Sequence, residues 1–168
     1  MLQRVAKICD GISERTGETV SWLIWIVMAL CVFEVVTRRF FNSPHKWTYD
    51  VTNLFYTLHF MLLGAYTLLH KGHVSIDIFS VKLSKRTQGI IQIITYVIFF
   101  FPFFIVLFFV GLKSCVSSWS LFERTSIGLP FIYPIIKTSI PVTAVLIFIQ
   151  GISEFIKYIL FVSKGGTE

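Results

Sequence analysis

Glu34 and Arg38 stand four residues apart, in the order that lets a carboxylate and a guanidinium meet on one helix face. Both lie in an apolar run, where a charged group needs a partner. Three readings of Glu34 follow: an ion pair satisfied within its own helix near a membrane boundary, a contact with another protein's helix, or a proton-coupling carboxylate. The neighbouring Arg38 would hold Glu34 ionised, which works against the last of these. Further on, Asp50, Asn53 and Thr57 lead toward Gly64 along one helix face, while Thr52, Tyr56, His59, Tyr66 and His70 lie on the other. A helix polar on both faces is expected to be surrounded by protein. Hydrogen bonding between helices is the plain reading, and a ligand or ion path is the alternative. Glu154 and Lys157, three apart near the end of the last apolar run, read as a surface ion pair. Lys137 has the reach to snorkel to an interface, Trp119 reads as an interface anchor and Glu123 as a solvated charge.

Several chemistries lack their residues. Cys9, Cys31 and Cys115 form no CxxC pair and leave an odd count, which supports neither a disulfide framework nor a metal site. There is no HExxH, Ser/His/Asp arrangement or Gly-rich phosphate loop. His59 and His73, 14 apart, could serve two haems of a membrane electron-transfer subunit, but the later apolar runs contain no His to supply the second axial ligands. A self-sufficient four-helix exporter could use a lone Glu in its first helix for proton coupling, but Glu34 lies near the helix end beside Arg38. The expectation is therefore a chain with no catalytic site, no cofactor and no metal of its own.

The elements that must position these residues are set by composition. Of 168 residues, 55% are hydrophobic, 14% are charged and 18 are Phe. A soluble domain carries roughly 25% charged residues. A single water-soluble core could not hide this much apolar surface, so a bilayer must solvate much of it. The fold class expected is an all-α membrane protein, one membrane domain over 1–168, with spans at about 20–41, 49–70, 89–118 and 133–162. The third is long enough to tilt, bend or protrude, and Pro102 inside FFFPFF supplies a kink. The first ends at Asn42-Ser43-Pro44, and 119–132 is a loop with turn formers at its end. Over 2–17, Val5, Ile8, Cys9 and Ile12 repeat at helical spacing, which predicts a short amphipathic helix lying at the membrane surface.

The net charge of +6 is dispersed along helix flanks, a pattern that fits attraction to anionic lipid and not nucleic-acid binding. With four spans both termini share a side. That side, with the middle loop, holds nine Lys and Arg residues against six opposite, a bias toward cytoplasmic termini.

Four segments in order resemble one family, the small DctQ-like membrane subunit of tripartite ATP-independent periplasmic (TRAP) transporters. FEVVTRRFFNSPHKW carries Glu34, Arg38, Phe41, Asn42 and Trp47 at the family's spacing. WTYDVTNLF has Asp50 where many members have Glu. GAYTLLHKGHVSIDIF, with His73 and Asp77, is similar to the family's most recognisable stretch, with Ser75 where Arg is common. SWSLFERTSIGLP and IYPIIKTSIP, with Trp119, Glu123, Ser126 and Pro130, resemble a subgroup with a longer third span. The resemblance covers the chain from about residue 18 onward. It implies a helper subunit in a bacterial inner membrane that joins a large multi-span subunit, braces its static scaffold and helps dock a periplasmic binding protein. It implies a small organic anion, a carboxylate or sulfonate, as cargo. It also implies that His73 and Asp77 fix the middle loop against the first helix or the large subunit.

Overall fold

The computed structural model describes residues 2–70 and 84–163, and these are helical with short connections. In chain order they form α1 (Leu2–Ser21), α2 (Leu23–Phe40), α3 (Lys46–Leu62), α4 (Gly64–Leu69), α5 (Lys85–Thr95), a π-helical turn (Tyr96–Phe100), α6 (Phe101–Ser120) and α7 (Ile132–Ser163). Three stretches are long and apolar enough to cross a membrane: Leu2–Phe40, Lys85–Ser120 and Ile132–Ser163. The expected second span does not meet that standard by itself. It is divided at Leu63 into helices of 17 and 6 residues, and its polar side chains dilute the apolar run. The 36 residues of Lys85–Ser120 reach about 54 Å, against a hydrocarbon core of roughly 30 Å. This helix does exceed one crossing, as its sequence predicts.

The sequence predicts a separate surface helix over 2–17, but α1 runs through Ser21 and continues into α2 with a break only at Trp22. The apolar stripe that motivated that expectation faces outward, with Val5, Ile8 and Ile12 all exposed. The buried face is built from small residues instead: Ala6, Ser13 and Gly17, with Val20. Small side chains allow close helix approach where lipid gives apolar side chains no reason to turn inward. At Gly17 a Cβ would fall 2.2 Å from the Tyr66 ring, so glycine is what lets α4 sit against α1.

α7 is the hub, packing against α1, α3, α4, α5 and α6, whereas α2 packs on α3 and keeps only Val27 buried. Rings dominate the α5–α6–α7 seam: Tyr96 meets Tyr158, and Phe101 meets Phe148 and Phe155, at centroid distances of 5.2–6.0 Å. Gly151 opens the space for Phe100, whose Cε1 would lie 2.1 Å from an added Cβ. Pro102 lacks the N–H that would bond the Ile98 carbonyl, and the helix widens to a π turn at that point. The predicted irregularity therefore takes the form of a π turn. Asn42 has φ +48° and follows the end of α2, where the break was expected.

Candidate functional site

Polar side chains gather at three places. The first is the corner where α2 turns into α3. Arg38 donates to Glu34 Oε1 at 3.1 Å, confirming the i, i+4 pair, and the backbone amide of His45 donates to the same oxygen at 3.4 Å. His45 Nδ1 lies 3.8 Å from Glu34 Oε2. His45 also joins Phe33 and Trp47 in a ring cluster with centroids 5.6–6.2 Å apart, which fixes the corner. A buried oxygen of Asp50 finds no hydrogen-bond partner among the described residues. A cavity of about 940 Å³ opens here, lined by Cys31, Val35, Arg38, Arg39, Lys46 and Tyr49 among others.

The second cluster is the connection from α6 to α7. Ser118 and Lys137 both donate to Glu123 Oε2, at 2.6 and 2.5 Å. The Lys137 ammonium, then the Ser118 hydroxyl, hold the Glu123 carboxyl below its ordinary value. Trp119 Nε1 donates to Thr138 Oγ1 at 3.0 Å, and its ring lies 6.2 Å from Phe131, which sits at φ +68°. Thr125 closes the intervening turn by accepting from Gly128 and Leu129. These contacts refine the expectations: Glu123 is a paired charge and not simply a solvated one, Lys137 reaches Glu123, and Trp119, 41% exposed, also holds a hydrogen bond within its own chain. Pro130 is exposed in this loop.

The third cluster ties α1 to α7. Asp10 Oδ1 accepts from Gln150 at 3.0 Å, Ser153 at 2.7 Å and Lys157 at 3.0 Å, and Lys157 also reaches Glu154 at 2.6 Å. Glu154 is 5% exposed while Lys157 and Asp10 keep 41% and 27% of their side chains exposed, so the pair is half of a partly buried network and not an isolated surface pair. Sequence reasoning missed Asp10, Gln150 and Ser153. The legible signal was a polar stripe at 150, 153, 154 and 157 within an otherwise apolar helix.

The two stripes of the α3–α4 segment separate differently from expectation. His59 Nδ1 lies 3.1 Å from the Val20 carbonyl oxygen, Tyr66 covers Gly17, and His70 Nε2 is 3.6 Å from Glu14. Within this stripe His59, Tyr66 and His70 face α1, whereas Tyr56 is exposed. On the other stripe, Asp50 is buried and Asn53 exposed. Gly64 approaches Ile147 of α7. Thus Glu34, Arg38 and Trp47 gather around His45 at one corner, with Asp50 buried a turn further along α3, Trp119 and Glu123 lie at another, and Gly64 stands apart. His73 and Asp77 lie outside the described residues.

Three stretches long and apolar enough to cross a membrane, with polar clusters between and within them, define a multi-helix membrane protein. The chain matches the family model for tripartite ATP-independent periplasmic transporters, DctQ component, over residues 20–160. It therefore belongs to the DctQ family, the small membrane subunit of TRAP transporters, which is a transporter component and not an enzyme family. No curated protein and no solved structure matches the chain.

Proposed function

We propose that this chain braces the static scaffold of a large multi-span subunit that imports a small organic anion, a carboxylate or sulfonate, by sodium-coupled secondary transport. In this reading it lies in the bacterial inner membrane with both termini cytoplasmic and helps a periplasmic binding protein dock. The segment α3–α4 makes the fourth crossing, shielded by protein, while the outward apolar stripe of α1 rests in lipid near the membrane boundary. The observation that carries the scaffold role is a stripe on α3: Tyr49, Asn53, Tyr56 and Phe60 recur at helical spacing and all are exposed. Hydroxyl and amide groups are costly to leave against hydrocarbon, so a partner helix that supplies hydrogen bonds suits this face better than lipid.

Affinity purification of the tagged chain from native membranes tests the proposal. A much larger multi-span protein should co-purify, and Asn53→Arg should reduce its recovery while the thermal unfolding of the chain stays unchanged. Solute uptake by liposomes that contain this chain alone would overturn it. So would full recovery of the large companion with Asn53→Arg.

A further inference from the structure

The α2–α3 corner has an excess of positive charge that its own residues leave uncompensated. Arg38 is committed to Glu34. Arg39 and Lys46, which line the same cavity, are exposed and meet no carboxylate among the described residues. Glu34 is the acidic residue of the lining and is already engaged by Arg38 and the His45 amide. The cavity is also bounded by the start of α3, where His45 supplies no side-chain cap and the first-turn N–H groups add partial positive charge.

Below this cationic rim the surface is apolar. Val35 and Cys31 line the cavity, and Met28, Val32 and Val35 lie 50–65% exposed along the same side of α2. Trp47 and Tyr49, 41% and 75% exposed, flank the rim, and such rings favour headgroup depth. A ligand that suits both parts carries an anion at one end and a long apolar tail at the other. A volume of about 940 Å³ accommodates a headgroup and the first part of its chains.

We propose that this corner binds one anionic phospholipid, its phosphate diester held between Arg39 and Lys46 and an acyl chain laid along Val35, Val32 and Met28. The lipid would tie α2, which packs on α3 while α3 itself is anchored to α7, to a fixed depth in the bilayer.

The test is native mass spectrometry of the full chain, with whatever membrane companion it retains, titrated with phosphatidylglycerol or phosphatidylcholine. One phosphatidylglycerol per chain should bind in preference to phosphatidylcholine. Arg39→Gln with Lys46→Gln should weaken that binding roughly 30-fold. The charge-matched control Lys113→Gln with Arg124→Gln should leave it unchanged, as should millimolar inorganic phosphate. Equal weakening in both double variants would overturn the proposal, since it would mark a general charge effect. Displacement of the lipid by inorganic phosphate would overturn it in favour of a free-anion site. Loss of the companion protein with lipid binding intact would overturn it in favour of a protein contact.

Discussion

Replacing Asp10 with Ala removes the acceptor on which α1 and α7 converge. Three donors lose a partner, but unequally. Ser153 Oγ retains the Ala6 carbonyl at 3.2 Å, and Lys157 retains Glu154 at 2.6 Å. Gln150, fully buried, retains no acceptor for its amide N–H among the described residues. Orphaning one buried donor costs about 1–3 kcal/mol, and losing the partly exposed Lys157 contact adds about 0.5 kcal/mol. Alanine's better helix propensity returns a similar half unit, so the net destabilisation is about 1–3 kcal/mol. The assay is equilibrium unfolding of the purified chain in mixed micelles, followed by tryptophan fluorescence. The second variant carries the argument: adding Gln150→Leu to Asp10→Ala removes the orphaned amide and should restore at least half of the loss. If Asp10→Ala unfolds with the wild-type chain, or if Gln150→Leu deepens the defect, the network does not hold α1 to α7.

Gly17→Leu should destabilise by about 1–3 kcal/mol in the same assay, because its side chain must displace the Tyr66 ring. Gly11→Ala, which meets nothing within 4 Å, should instead stabilise by about 0.5–1 kcal/mol. For Glu123 the folded carboxyl titrates below its ordinary value of 4.5, so its contribution is complete above that value and is lost as pH falls through the lower folded value. Thermal melts of wild type and Glu123→Gln should therefore differ at neutral pH and converge only below 4.5. Trp119→Phe removes the indole N–H while Thr138 keeps its bond to the Pro134 carbonyl at 2.7 Å, so the loss should be about 0.5–1.5 kcal/mol by the same unfolding measurement.

Much of the fold could be read because the governing quantities are local. A proline without an N–H irregularises the helix around it wherever the chain goes, as at Pro102, and an i, i+4 pair such as Glu34–Arg38 is fixed by helix geometry alone. Runs of Phe, Ile and Val fix the membrane class because hydrophobic area needs no partner to be unfavourable in water. The family resemblance was legible for a similar reason, since its segments are contiguous in sequence.

Other features were decided in three dimensions. Amphipathic spacing on α1 marked Val5, Ile8 and Ile12 as an apolar stripe for the membrane surface and left open which residues meet the neighbouring helices. In a bilayer the inner and outer media are both apolar, so the buried face is selected by closeness of fit and hydrogen bonding, and Ala6, Asp10, Ser13 and Gly17 turned inward. Pairings such as Asp10 with Lys157, Glu123 with Lys137 and Trp119 with Thr138 join residues on different elements, and no helical period encodes them. The sequence by itself determined that the chain is helical, lipid-solvated and of the DctQ family. Only the tertiary structure decided which polar groups satisfy one another and which remain at the α2–α3 corner, because that depends on helix approach distances set by small residues far apart in the chain.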